Sequence, residues 1–423
     1  VKALIVSANL DTNGQNARFV RAAERWGDDP DVLKALAVGK YDPASVVGRF
    51  QAATHPGLVI RSAHRQTHIY QQMPPDIVWD RRTDRQVRQL AREADLIHLN
   101  NSWRAWQLLN IHRKPIVVHH HGSMFRWTPG PDPLLQKARQ MKVLQMVSTV
   151  DLLRHGEEYF DPAEKRWHPR RPGLRKWEPP ATLHYQPTAY DIDWLQDFGK
   201  RHRDDHEGIR VISAPTNREY KSTSALEVAV RALQNDGLDV ELVLVEGKPW
   251  RDGMAIKATA DIYFDQVQLG YGCNAVEAWG MGIPVIAGAD EWTLTKMRNI
   301  YGKTLPFYEA TEATIKDAIA DLATNKAKRT QYAKRGLSHV RRWHDEKPAL
   351  TRLATLYRLA LEEQEAHIEM PAPTMKFTAN RRQLHVANRY INFPFETDNE
   401  YLARRIREYG VRFPQHGITE EIA

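Results

Sequence analysis

The sequence predicts an α/β protein made of two doubly wound parallel sheets, with a small appendage at the C-terminus. Short β-rich apolar runs alternate with stretches of helical length and spacing, and they do so in two separate series. Strands that alternate with helices need crossover connections, which make the sheets parallel and place helices on both faces. The scale agrees, because 423 residues at about 150 per domain give two or three domains.

The first series comprises Ala3–Ser7, Gly57–Ile60, Asp95–Leu99, Pro115–His119 and Val143–Ser148. Asp161–Asp191 is rich in proline and basic residues and lacks periodicity, and it ends in T-L-H-Y-Q-P-T-A-Y-D, which reads as a strand leading to the interdomain connection. The boundary is expected at Asp191, so residues 1–191 form the first domain. The second series, Arg210–Ser213, Val240–Val245, Asp261–Phe264 and Ile283–Ala287, belongs to a domain over 192–346. Leu350, Leu353, Tyr357 and Leu361 then share one face of a helix opened by Pro348, expected over 347–369 and packed on one or both domains. The two prolines of Met370–Thr374 mark a stiff linker at the head of a module spanning 370–423. Within that module Phe377–Phe395 is strand-like, and Thr397 with Glu400 forms a capping-box pattern.

Composition narrows the function classes. Lys+Arg 60 against Asp+Glu 52 leaves a net charge of +8, and 42% hydrophobic with 26% charged residues excludes general disorder, collagen and coiled-coil arrays. Cys273 is the only cysteine, which excludes an intramolecular disulfide and a cysteine-rich zinc site and suits a reducing compartment. No run reaches the ~18 apolar residues of a membrane span, and V-K-A-L-I-V-S reads as a buried strand rather than a signal peptide. The expected setting is the cytoplasm.

The most informative stretch runs from Asp261 to Ala287, D-I-Y-F-D-Q-V-Q-L-G-Y-G-C-N-A-V-E-A-W-G-M-G-I-P-V-I-A. A strand ends near Phe264, Gly270 and Gly272 turn the chain, and a helix starts near Cys273. A glycine-led helix start offers unpaired N–H groups and a positive dipole end, which suits a phosphate. Glu277 lies about one turn in, where a carboxylate would repel phosphate but accept bonds from sugar hydroxyls. The alternative is that Gly270 and Gly272 merely turn the chain and that Glu277 is a solvated helix residue.

A second stretch, V-I-S-A-P-T-N-R-E-Y-K-S-T from Val211 to Thr223, places Arg218 and Lys221 just beyond a strand. Open α/β sheets bind ligands at the carboxyl ends of their strands, and two cations three residues apart can neutralise a diphosphate. In the first domain S-A-N-L-D-T-N-G-Q-N sets Gly14 in the first strand-to-helix loop, where a ligand would face it.

Together these residues resemble the GT-B glycosyltransferases, and glycosyltransferase family 4 in particular, over roughly Lys2 to Leu361. P-T-N-R-E-Y-K-S-T is similar to the family's diphosphate-binding loop, and A-D-I-Y-F-D-Q…G-Y-G…E-A…G-I-P-V-I to its nucleotide-ribose segment. P-I-V-V-H-H-H-G, Pro115 to Gly122, resembles the strand that ends in His-Gly beside the donor sugar, and V-S-T-V-D-L-L, Val147 to Leu153, a further strand and turn. The resemblance implies two Rossmann-like domains facing a cleft and a nucleotide-sugar donor, expected to be a UDP-sugar, used as substrate with no cofactor. It implies that Arg218 and Lys221 hold the donor diphosphate, Glu277 the ribose, and His121 the sugar or its developing charge. The donor-contacting set then includes Gly14, Gly122, Asp265, Gln266, Gly272, Cys273 and Asn274.

One position departs from the family pattern. Of its two glutamates separated by seven residues, the second is Glu277, while Leu269 stands at the first. Asp265 or Gln266, just upstream, is the polar group placed to compensate. Leu269 also fits a second function, a catalytically silent relative that binds DNA or a capsid component.

Arg218, Lys221 and the helix start near Cys273 can stabilise a diphosphate leaving group without a metal, and no D-x-D falls on a suitable loop. The resemblance implies a retaining transfer. In His119-His120-His121, alternation puts His119 and His121 on one face and His120 on the other; no further ligands complete a zinc site.

The stretch A-E-K-R-W-H-P-R-R-P-G-L-R-K-W, Ala163 to Trp177, carries Lys165 and a candidate acceptor surface of Arg166, Trp167, Arg170, Arg171, Arg175, Lys176 and Trp177. Interleaved cations and aromatics can track a phosphate backbone and stack on bases, although a solvated loop pinned by two tryptophans has the same composition. In the C-terminal module, M-K-F-T-A-N-R-R-Q…F-E-T-D-N-E-Y-L-A-R-R-I resembles small modules of phage structural proteins. That implies a phage-encoded enzyme at work in the host cytoplasm, whose acceptor is a hydroxymethylated DNA base or a virion protein.

Overall fold

The structure, a computed structural model, describes residues 1–10, 15–36, 57–66, 77–100, 114–122, 143–161, 166–169, 182–218 and 221–365. The chain divides into two compact units, Val1–Ala366 and His367–Ala423. The second, with its linker, strand-like stretch and capping box, lies outside the described residues.

The first unit contains the two parallel-sheet α/β halves that the alternating runs predict. In the first half, β1 (Lys2–Leu10), β2 (Val59–Gln66), β3 (Ile77–Val78), β4 (Leu96–Asn100), β5 (Ile116–His120), β6 (Leu144–Val147) and β9 (Leu183–Tyr185) form one sheet in the order β3-β2-β1-β4-β5-β6-β9. Every pairing in it is parallel. Helices cover both faces, so β4, β5 and β6 are buried at every residue, which is why they read as continuous apolar runs rather than alternating ones. Helix α1 (Gln15–Trp26) follows β1, then α2 (Pro30–Leu36), and α3 (Asp84–Glu93) covers the opposite face through Val87 and Ala91.

A one-turn helix α4 (Arg154–Glu157) leads into a hairpin of β7 (Glu158–Asp161) and β8 (Arg166–Pro169). The sequence reading expects no regular element here. Arms of four residues pair with each other and need no long hydrophobic period, so periodicity does not find them.

The second half follows with α5 (Ile192–His202), β10 (Ile209–Ser213), α6 (Thr223–Asn235), β11 (Val240–Leu244), α7 (Trp250–Ala258), β12 (Ile262–Gln266), β13 (Leu269–Gly270), α8 (Cys273–Gly280), β14 (Val285–Ala289), α9 (Glu291–Tyr301), β15 (Tyr308–Glu309), α10 (Ile315–Thr324) and α11 (Lys326–Trp343). The sheet runs β11-β10-β12-β14, with β15 parallel and β13 antiparallel to β14. Asp191 caps α5 by accepting the Trp194 N–H at 2.9 Å.

The last described helix, α12 (Glu346–Glu365), leaves the second half and packs on the first. Leu350, Leu353, Tyr357 and Leu361 are buried against Phe19, Val20, Val117 and Leu144. The two crossings of the chain run side by side, with the Tyr190 N–H donating to the His344 carbonyl at 2.7 Å. Arg25 ties them from outside, donating to Asp191 at 2.6 Å and to Glu346 at 2.8 Å.

Candidate functional site

Ligands of open α/β sheets bind outside the carboxyl ends of the strands, where the strand order reverses. In the second half that point lies between β10 and β12, since β11 flanks β10 on the other side. Three sequence-predicted residues meet there. Lys221 comes from the loop after β10, Asp265 from the end of β12, and Gly272 from the N-cap of α8. The fully buried Asp265 carboxylate accepts the Gly272 N–H through Oδ2 at 2.6 Å, and its Oδ1 accepts from the Lys221 ammonium. Gly270 is left-handed, with φ at 86°, so the turn into this helix needs a residue without Cβ. Asn274 donates to the Ala214 carbonyl at 3.0 Å and so ties the helix to the end of β10. Burial pushes the Cys273 thiol up, which keeps it protonated and inert. Gln266 is buried at the end of β12, and Leu269 lies in the short β13.

Arg218 does not join this group. Its guanidinium forks onto Glu246 at 2.9 and 2.7 Å and reaches Glu227 at 3.2 Å, so its ordinary pKa is raised further, chiefly by the Glu246 bond. The two cations of the loop therefore serve different carboxylates.

Glu277 is completely buried on α8. Its Oε1 accepts from the Trp250 indole N–H at 3.0 Å, its Oε2 pairs with the Lys257 ammonium at 2.5 Å, and the Arg18 guanidinium of the first half lies 3.7 Å away. Lys257 also donates to Asn274 Oδ1 at 2.9 Å. A buried carboxylate is stable only when so partnered, and these partners come from this chain. Sequence reading did not single out Arg18, Trp250 or Lys257. A signal for two of them was present: Arg18 stands directly before the core residues Phe19 and Val20, and Lys257 stands directly before buried Ala258.

In the first half the expected face-sharing of His119 and His121 is visible as ring centroids 4.0 Å apart, with His98 5.3 Å from His119. His120 points to the other side, 2.9 Å from Gln145 Oε1. Burial pushes His98, His119 and His121 well below the usual imidazole range, with neighbouring imidazoles adding to it, so all three rings are neutral at pH 7. Gly122, with φ at 44°, turns the chain directly after them. Gly14 lies outside the described residues.

A cavity of about 20 Å³ lies between the halves, lined among others by Thr149, Tyr185 and Tyr190 of the first and Tyr271, Gly272 and Cys273 of the second. It holds about one water, whereas drug-sized ligands occupy roughly 300–1,000 Å³. Tyr301 Oη donates to Tyr185 Oη at 2.8 Å, Tyr271 Oη donates to Tyr301 Oη at 2.9 Å, and Tyr271 Oη is 3.0 Å from His344 Nε2. Hydroxyl contacts thus cross from one half to the other. Arg154 crosses as well, donating to Asp290 at 2.6 Å.

Of the candidate acceptor surface, Arg166 and Trp167 lie in β8. The Trp167 ring carries the Arg154 guanidinium 4.6 Å above it and the His155 ring edge-on at 4.9 Å. Arg170, Arg171, Arg175, Lys176 and Trp177 lie outside the described residues. Among the described residues no group of three metal-ligating side chains converges, and no helix is long and apolar enough to cross a membrane.

No family model matches the sequence, and no curated protein matches it. Solved structures of similar architecture do. HepE of Anabaena, in complex with UDP and glucose, is 13% identical, covering 83% of this chain and 98% of its own, with a TM-score of 0.47. Sucrose-phosphate synthase of Thermosynechococcus elongatus is 13% identical over 86% of this chain and 99% of its own, also with a TM-score of 0.47. An alpha-glucosyltransferase in complex with UDP and a 13-mer DNA containing an HMU base is 9% identical over 87% and 99%, with the same score. At these identities and scores the likeness carries no chemistry to this chain.

Proposed function

We propose that the protein is a glycosyltransferase that moves a sugar from a nucleotide-sugar donor, UDP-linked by the family resemblance, to a hydroxyl on a macromolecular acceptor. The observation that carries this reading is the meeting of the Lys221 ammonium and the Gly272 N–H at the strand-order reversal of the second sheet. An ammonium and a helix-start N–H aimed at one spot form an anion cradle. In glycosyl transfer the leaving group is a diphosphate, and its charge grows as the bond to the sugar breaks, so donors fixed in advance at the phosphates lower the barrier. The cradle would take those phosphates, and Arg218 would join it on leaving Glu246. The family resemblance supports a retaining transfer, in which the acceptor hydroxyl attacks from the leaving-group face as the bond to the diphosphate breaks. His121, as a neutral imidazole, would hydrogen-bond the sugar.

Glu277 is fully buried with Arg18 of the first half 3.7 Å away, so a donor that reaches its carboxylate would part the halves at that contact. Only in the parted form would Glu277 meet a ribose. The acceptor would be a hydroxymethylpyrimidine in DNA or a virion protein. Basic residues between Lys165 and Lys176 support DNA, since they are interleaved with Trp167 and close to Trp177.

Incubation with a panel of nucleotide sugars, read as slow donor hydrolysis and as a thermal shift, tests the reading. Hydrolysis of one donor supports it. No turnover and no shift with any of them overturns it in favour of a silent binding protein, which Leu269 favours. DNA as acceptor requires binding that weakens steeply with salt, and its absence at low salt removes DNA.

A further inference from the structure

We propose that Asp265 is a tethered anion that occupies the phosphate position of the cradle and so decides which anions the cradle admits. This deepens the donor-site reading above and rests on it. The Asp265 carboxylate takes both groups that a phosphate would use, the Lys221 ammonium and the Gly272 N–H. It is fully buried. Its neighbours Phe264 and Gln266 are paired with Ile286 and Ala287 of β14, with the register irregular at Asp265 between them.

Of its two partners, the Lys221 side chain has the rotatable stem through which an ammonium can turn to another anion. Lys221 sits in a loop that ends at Ser222, a left-handed non-glycine residue with φ at 47°, the kind of strained position found at switch segments. At Gly272 the nearest atoms a Cβ would meet are Asp265 Oδ2 at 3.6 Å and Lys221 Nζ at 3.7 Å. Glycine therefore leaves that side of the ion pair unshielded by a side chain, which is the approach a ligand anion needs.

A carboxylate attached to the same chain competes at a high effective concentration. Chloride or acetate, with one charge and no gain in contacts, cannot displace it. A diphosphate carries more charge and several oxygens, so it can draw Lys221 and the Gly272 N–H to itself. Selectivity for phosphate esters over small monovalent anions follows from this competition.

The test is calorimetric titration of the full chain and of Asp265→Asn with inorganic pyrophosphate, which needs no knowledge of the base or sugar. Removing one like charge from the cradle is expected to tighten pyrophosphate binding by about tenfold or more and to make acetate a competitor in the variant only. Equal or weaker binding by Asp265→Asn overturns the proposal and makes Asp265 a positioning residue for Lys221. If neither chain binds pyrophosphate or any nucleoside diphosphate, the donor site itself is misplaced and the proposal falls with it. Should Asp265→Asn fail to fold, the wild-type chain carries the test. The Asp265 side-chain carboxyl carbon-13 resonance must move when pyrophosphate binds; a fixed resonance overturns the proposal.

Discussion

The Arg18 guanidinium, on the first helix of one half, lies 3.7 Å from the Glu277 carboxylate on a central helix of the other. The same guanidinium stacks 3.7 Å above the Tyr190 ring, next to the point where the chain crosses between halves. The carboxylate that the family resemblance assigns to a ribose is thus held by a contact between the halves. In the proposed function a donor that takes Glu277 displaces that contact, which would tie donor binding to movement of one half against the other.

Glu277→Ala should destabilise the fold by about 3–5 kcal/mol, because it leaves the Lys257 ammonium buried without its carboxylate. Denaturant unfolding monitored by tryptophan fluorescence reads this directly. Glu277→Leu combined with Lys257→Met should cost much less, since it removes both charges. A double variant as unstable as Glu277→Ala would show that packing, and not the orphaned charge, is responsible.

Lys221→Ala should weaken pyrophosphate and nucleoside diphosphate binding by about 1.5–3 kcal/mol, the worth of a charge-assisted hydrogen bond. Arg218→Ala should weaken it less, because Arg218 must first leave Glu246 and Glu227. Titration calorimetry on the three chains checks the order, and a larger loss in Arg218→Ala would place the diphosphate nearer Glu246.

Acid should destabilise the protein between about pH 6.5 and 4. Burial pushes His64 and His344 down to about 4, so over that window the unfolded chain binds protons that the folded chain does not. Stability is complete above the unfolded value and falls as pH drops, by roughly 3 kcal/mol for each of the two. His98, His119, His121 and His339 are lowered further and add to the same trend. Melting temperatures should stay level from pH 7.5 to about 6.5 and fall from there to pH 4.5, and a flat profile throughout would show that these rings are solvated in the native state.

Gly270→Ala should cost more than 1 kcal/mol. The position is left-handed, and a Cβ there would lie 2.2 Å from the Met297 methyl. Because Gly270 opens the turn that aims the Gly272 N–H, the variant should also lose pyrophosphate affinity. Ordinary stability together with ordinary affinity would contradict the strained turn.

The two-sheet architecture was legible because a strand buried on both faces leaves a continuous apolar run, and such runs recur at helix-length intervals from Ala3 to Ala287. The turn at Gly270 and the helix start after Gly272 were legible for a related reason: a tight turn and a helix start impose residue types at fixed short spacing. The β7–β8 hairpin, β13 and β15 were not, since elements of two to four residues carry no period.

Sequence by itself determined which residues lie at the carboxyl ends of the second sheet, and Lys221, Asp265 and Gly272 are local consequences of strand, loop and helix order. Tertiary structure alone decided their partners. Arg218 turned to Glu246, Asp265 took both Lys221 and the Gly272 N–H, and Glu277 was claimed by Lys257, Trp250 and Arg18. Spacing along a chain fixes the direction of a side chain relative to its own element. Which opposite charge stands within bonding distance depends on how the elements pack, and a buried carboxylate must accept whichever donors that packing supplies.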